Sequence, residues 1–138
     1  MKHELRNSKQ IQITKIKMIK TVNAKQYDLE DRTYEFAKNV RLFVKKIPKT
    51  VANFEDGKQV IRSSGSIGAN YIEANEALSK KDFIMRIKIS RKEAKESSFW
   101  LRLIDMGNSQ ELEKERQVLN KEAIELMNIF GAILRKAE

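Results

Sequence analysis

The chain is predicted to be all-α, an antiparallel up-down-up-down four-helix bundle, and three observations carry that prediction. One proline and five glycines in 138 residues leave little punctuation, so the elements must be long. Charged residues make up 34% and hydrophobic ones 41%, a mixture suited to long amphipathic helices. Apolar residues recur at three- and four-residue spacing through four stretches, each bounded by capping or breaking residues. A chain of this length forms one domain with room for a real core.

Residues 1–26 hold seven Lys/Arg against one Glu, so +6 of the formal net charge of +9 lies there. Ile11, Ile13, Ile16 and Met18 are set among Lys15, Lys17 and Lys20 and follow neither a strand nor a helix period. The expectation is a mobile basic arm over 1–26 and a bundle over 27–138. A phosphate-seeking arm and a solubilising extension both fit this composition.

Asp28 with Asp31 resembles an N-cap and its acidic partner, opening a first helix that runs to about residue 46. Leu29, Phe36, Val40, Phe43, Val44 and Ile47 form its inner face, and Pro48 ends it. Lys38, Arg41 and Lys45 lie together on another side.

Pro48 to Asn53 read as the connection, and the second helix runs from there, or from Val51 behind a Thr50 cap, to about residue 78. At about 100° per residue, Val60, Ser64, Ile67, Tyr71 and Leu78 share one side, and Ile61, Gly65, Gly68 and Ile72 an adjoining one. So wide an apolar and small-residue surface needs covering on two sides. Gly65 and Gly68 each cost roughly 1 kcal/mol against alanine in a helix, which is tolerated where another backbone must come close. A phosphate-clamping GXXG loop over Gly65 to Gly68 would instead need short flanking strands and helices. Gly57-Lys58 imitates the end of a Walker loop but lacks its first glycine and its Ser/Thr.

On the remaining arc Gln59, Arg62, Ser66, Asn70 and Glu73 make a polar ladder at i, i+3, i+7, i+11 and i+14. A buried arginine is too costly without a partner. Arg62 is therefore expected to pair with Glu73, Glu93 or Glu96.

Ser79 and Asp82 read as a capping box after a very tight turn, opening a third helix over about residues 80–106. Phe83, Ile87, Ala94 and Leu101 point inward, and Met85, Ile89, Glu96, Trp100 and Leu103 form a second stripe. Between about 80° and 180° from Phe83 come Ile84, Lys88, Arg91, Lys92, Lys95, Phe99 and Arg102, without one acid. The five cations Lys88, Arg91, Lys92, Lys95 and Arg102 are the candidate phosphate-binding residues, helped by Lys38, Arg41 and Lys45 if the first helix lies beside the third. A solvated face on which Lys92 reaches Glu96 is the alternative. Gly107 is a natural stop. Asn108 with Glu111 then opens a fourth helix that buries Leu112, Leu119, Ala123, Leu126, Phe130 and Leu134.

There is no cysteine, and the one histidine is His3. Disulfides, thiolate metal sites and histidine-based catalysis therefore have nothing to stand on. Ser66, Asn70, Glu73, Glu93 and Glu96 could gather as a carboxylate cluster, but di-metal bundles use Glu-x-x-His pairs. No catalytic residue, metal or cofactor is expected, and the protein is taken as non-enzymatic. No apolar run is long enough to span a membrane, and the first twenty residues do not resemble a signal peptide. A cytoplasmic protein with no membrane role is expected.

The stretch QVIRSSGSIGANYIEANEAL followed by KDFIMRIKISRKEAKESSFWLRLID resembles the bacterial four-helix bundle family that includes proteins encoded by intervening sequences of 23S ribosomal RNA genes. Gln59, Arg62, Ser66, Ile67, Asn70 and Glu73 match its Q-x-x-R-x-x-x-S-I-x-x-N-x-x-E pattern, and KEAKES with Trp100 and Leu101 matches one branch. The resemblance covers residue 27 to the end and leaves out the basic arm. It implies an up-down-up-down bundle that assembles as a homopentamer, similar in fold to the accessory proteins of diversity-generating retroelements. Those relatives are linked to nucleic acid and a reverse transcriptase, so a protein partner of that kind is also implied.

The function expected is an oligomeric scaffold binding structured nucleic acid, RNA or RNA–DNA, through basic outer helix faces. The alternative is a structural or protein-interaction oligomer with no direct nucleic-acid role. The surplus of apolar surface on the second and third helices points to a homo-oligomer by itself. The number five comes from the resemblance alone.

Overall fold

The computed structural model describes the backbone of residues 21–138 and the side chains of residues 29–138. Four helices follow one another: α1 (Thr21–Val44), α2 (Val51–Asn75), α3 (Lys80–Leu103) and α4 (Gln110–Ala137). The chain divides into two compact units, Met1–Arg32 and Thr33–Glu138, with the boundary inside α1. Residues 1–20 of the expected arm lie outside the described residues. Residues 21–26 are helical, and Asp28 and Asp31 fall inside α1 rather than at its start. No Gly or Pro occurs between Thr21 and Val44, so nothing forces the helix to begin at the aspartates.

In the second unit α2 packs on α3, and α3 on α4. Their inner faces interleave as a bundle core: Phe36, Val40 and Phe43 from α1, Val60, Ile67 and Tyr71 from α2, Ile87, Ala94 and Leu101 from α3, and Leu126, Phe130 and Leu134 from α4 are all buried. The Tyr71 and Phe130 rings meet edge to face at 5.6 Å, a geometry worth about 1 kcal/mol beyond area burial. Among the described residues no helix is long and apolar enough to cross a membrane.

Hydroxyl caps start three of the helices. Thr50 accepts from the Asn53 amide at 3.0 Å, Ser79 from Asp82 at 3.0 Å and Ser109 from Leu112 at 3.1 Å. The last of these corrects the expected Asn108 cap. Gly107 adopts φ +64°, which only glycine does readily, and its amide donates to Asp105 Oδ1 at 2.9 Å. That turn carries the chain one residue further before α4 begins. Leu78, expected inside, is fully exposed. The end of α2 tightens into three-residue hydrogen bonds from Glu76 to Glu73 and Ala77 to Ala74, so Leu78 has left the helical register.

Two loops at one end are tied by a single buried side chain. Asn53 Nδ2 donates to the carbonyls of Pro48 at 3.0 Å and Asp105 at 2.8 Å, and its Oδ1 accepts from the Asp105 amide at 3.0 Å. The α1–α2 connection and the α3–α4 connection are thereby held together.

The glycines of α2 face α1. A Cβ on Gly68 would stand 2.7 Å from Thr33 Oγ1 and 3.1 Å from Thr33 Cβ, and Thr33 is itself buried. On Gly65 it would stand 3.4 Å from the tip of the exposed Arg41 side chain. The two positions therefore answer differently to alanine. Gly65→Ala should stabilise by roughly 0.5–1 kcal/mol through helix propensity. Gly68→Ala should destabilise by about 1 kcal/mol or more, because Thr33 cannot yield. Urea unfolding of both variants checks the sign of each change.

Candidate nucleic-acid interface

Helix α3 is fixed in rotation by Ile87, Ser90, Ala94, Ser97 and Leu101, all buried. Two serines of this face hydrogen-bond to α2: Ser97 and Ser63 share a bond of 2.8 Å, and Ser90 donates to the Ile67 carbonyl at 2.9 Å. Hydroxyl pairs let the two helices approach closely while the buried Ser63, Ser90 and Ser97 hydroxyls all find partners. With that side committed, Lys88, Arg91, Lys92, Lys95 and Arg102 are all exposed on α3.

Their surroundings differ. Lys88 pairs with Glu138 of α4 at 3.6 Å, so the acid missing from α3 itself is supplied by a neighbouring helix. Arg91 leans onto α4, with its Nε 3.5 Å from where a Cβ on Gly131 would be. Lys92 does not reach Glu96, whose carboxylate is taken by Arg62 and by Trp100 Nε1 at 3.0 Å. Among the described residues, Lys92, Lys95 and Arg102 have no carboxylate within ion-pair distance.

Lys38, Arg41 and Lys45 are exposed on α1, but they do not extend this face. Helix α2 turns Gly57, Gly65 and Gly68 toward α1 and Arg62, Ser63 and Asn70 toward α3. The two neighbours thus occupy different flanks of α2, and the condition that α1 lie beside α3 is not met. Arg41 donates to the Ala37 carbonyl at 3.1 Å and lies over Gly65.

The polar ladder of α2 is an interhelical seam. Arg62 binds both candidate carboxylates of α3: Glu93 Oε1 lies 3.3 Å from Nη2, and Glu96 is in direct contact. The arginine is not buried as expected; its side chain is 48% exposed, whereas that of Glu93 is only 10% exposed. Hydrogen bonding to Glu93, ahead of the Coulombic attraction of Glu93 and Glu96, raises the Arg62 pKa above its ordinary value despite some desolvation. Its contribution is present at all physiological pH and is lost only as pH rises through that raised value.

Two turns away Asn70 donates to the Ser66 carbonyl and hydroxyl at 2.9 and 3.0 Å, and Arg86 of α3 donates to Asn70 Oδ1 at 3.0 Å. Among the described residues no hydrogen bond or ion pair joins the side chains of Gln59 or Glu73 to this seam. Glu93 and Glu96 converge on Arg62 rather than forming a carboxylate cluster. No group of three or more His, Cys, Asp or Glu among the described residues is arranged to hold a metal ion.

Sequence reasoning missed Arg86, Asn53 and the Ser63–Ser97 pair. Arg86 sits one turn before Ser90 on the α2-facing side of α3, and that spacing was a usable signal. Asn53 looked like part of a loop.

Removal of Arg62 would leave the Glu93 carboxylate buried and unpaired. Arg62→Met should therefore cost about 1–2 kcal/mol, below the 3–5 kcal/mol typical of a fully buried pair because Arg62 is half in water. Adding Glu93→Gln should recover most of the loss. Chemical denaturation of the two variants reads both effects.

These features fit the comparisons with known proteins. The family model for 23S rRNA-intervening sequence proteins matches residues 25–132. Among solved structures, a protein of unknown function from the S23 ribosomal protein family of Bacteroides thetaiotaomicron is similar, with 32% identity and a TM-score of 0.62 over 77% of this chain and 97% of that one. No curated protein sequence matches significantly. With four helices in the expected order, Arg62 of the ladder pattern bound to Glu93 and Glu96 of KEAKES, and a family match over most of its length, the chain belongs to the 23S rRNA-intervening sequence protein family.

Proposed function

We propose that the protein is a non-enzymatic, oligomeric scaffold that binds structured nucleic acid, RNA or RNA–DNA, through the outer face of α3. The observation that carries this reading is the exposed row Lys88, Arg91, Lys92, Lys95 and Arg102, of which Lys88 alone pairs with a carboxylate among the described residues. At 1.5 Å per residue the row spans about 21 Å, enough to follow several phosphates. Such contacts fix position and carry no base code, so binding is nearly indifferent to sequence and gains strength by repetition around an oligomer. Phe99 is the one aromatic in the row's arc, too little for a platform on which single strands stack.

Assembly draws support from apolar side chains left in water. Met85, Phe99 and Leu103 on the outside of α3 are each about half exposed, and Phe54 and Ile72 on α2 are 66% and 49% exposed. Copies packing through such surfaces would cover them. The pentamer is the stoichiometry the family resemblance implies. The same surfaces favour a second reading, an assembly built for protein partners alone, in which the cations only keep it in solution.

The triple variant Lys88→Gln, Arg91→Gln, Lys95→Gln separates the two. Its sedimentation should match the parent, while its affinity for a structured RNA falls and the slope of log affinity against log salt flattens by roughly 2–3. Unchanged binding would assign the row to solubility. A parent that sediments as a monomer would remove the oligomer.

A further inference from the structure

We infer that Arg91 of α3 and Arg135 of α4 form a two-guanidinium clamp for a single phosphate group, set astride Gly131; the inference rests on the nucleic-acid reading above and supplies its anchoring point. Gly131 is buried on the α3-facing side of α4. The position its Cβ would occupy lies 3.5 Å from Arg135 Nη1, 3.5 Å from Arg91 Nε and 3.9 Å from Arg91 Cδ. Two exposed arginines thus lie over one stretch of backbone, their nitrogens within about 7 Å of each other, close enough to repel.

Among the described residues neither arginine has a carboxylate within 4 Å. Glu138, the acid at this end of α4, is engaged by Lys88 at 3.6 Å instead. Adjacent like charges without an internal counter-ion are stabilised by an external anion. Each guanidinium offers a planar fork of donors that matches phosphate oxygens. Gly131 marks where the two side chains meet: even a Cβ there would only touch both at ordinary van der Waals distance. Lys88, one turn before Arg91, and Lys95, one turn after it, are exposed on the same side of α3, so a phosphodiester chain seated in the clamp would run onto the row already described. Arg135 lay outside that row because it belongs to another helix.

The test uses the full chain and a structured RNA hairpin, with affinity read by fluorescence anisotropy across a salt series. Three double variants are compared: Arg91→Gln with Arg135→Gln, Arg91→Lys with Arg135→Lys, and, as a charge-matched control, Lys114→Gln with Lys121→Gln, exposed lysines elsewhere on α4. The glutamine pair should lose about tenfold in affinity, with the salt slope reduced by one unit or more. The lysine pair should keep the slope but lose about threefold, because charge remains while the forks are gone. The control should lose less than the lysine pair. Loss in the glutamine pair no greater than in the control, with the parent still binding, would overturn the clamp and leave the nucleic-acid reading standing. A parent that binds no RNA at any salt would overturn both. The lysine pair keeps both side-chain stems over Gly131, so its result decides the matter even if the glutamine pair misfolds.

Discussion

The close approach of α2 to two neighbours at once is the constraint on which the rest of the molecule depends. One flank is glycine, and Gly68 leaves no room for a methyl group beside Thr33. The other flank is hydroxyl and charge, with Ser63 bonded to Ser97 and Arg62 bonded to Glu93 and Glu96. Both arrangements bring helices together, but they place different demands on the partner. The glycine flank accepts a side chain from α1. The serine flank requires α3 in one register, because a hydroxyl pair and an ion pair must close together.

That register decides what α3 shows to solvent. With Ser90, Glu93, Ala94 and Ser97 turned inward, the residues interleaved with them at helical spacing have to face out, and these are largely cationic. The polar seam and the basic row are therefore two sides of one helix, and the first orients the second. The half-exposed Met85, Phe99 and Leu103 on the same outer side add apolar surface beside the charges, a combination suited to a repeated unit in an assembly that also meets an anionic polymer.

Much of this was legible from the residues, and the parts that were not have physical causes. Helix identity, the two caps at Thr50 and Ser79, and the core of Phe36, Val60, Ile87 and Phe130 followed from local rules that act within a few residues. Gly68 signalled a close neighbour without saying which one, whereas Gly65, read the same way, faces only the tip of the exposed Arg41 side chain. Arg62 had three candidate carboxylates, and only the meeting of α2 and α3 selects Glu93 and Glu96. The cap at Ser109 rather than Asn108 depends on the left-handed turn at Gly107, and adjacent polar residues both make good caps. Lys88 with Glu138, and Arg91 with Arg135, lie on different helices, so no period along one strand of sequence could join them. The contact of α1 with the glycine flank likewise puts Lys38, Arg41 and Lys45 on a different side from the row on α3.

Lysine footprinting of the assembled protein, with and without a bound structured RNA, tests the central claim most directly. Limited acetylation read by mass spectrometry reports each amine separately, so the faces of α1 and α3 are compared within one experiment. Protection of Lys88, Lys92 and Lys95, with Lys38 and Lys45 still reactive, is the result the account predicts. Uniform reactivity across both sets, or protection at Lys38 and Lys45 alone, would contradict it.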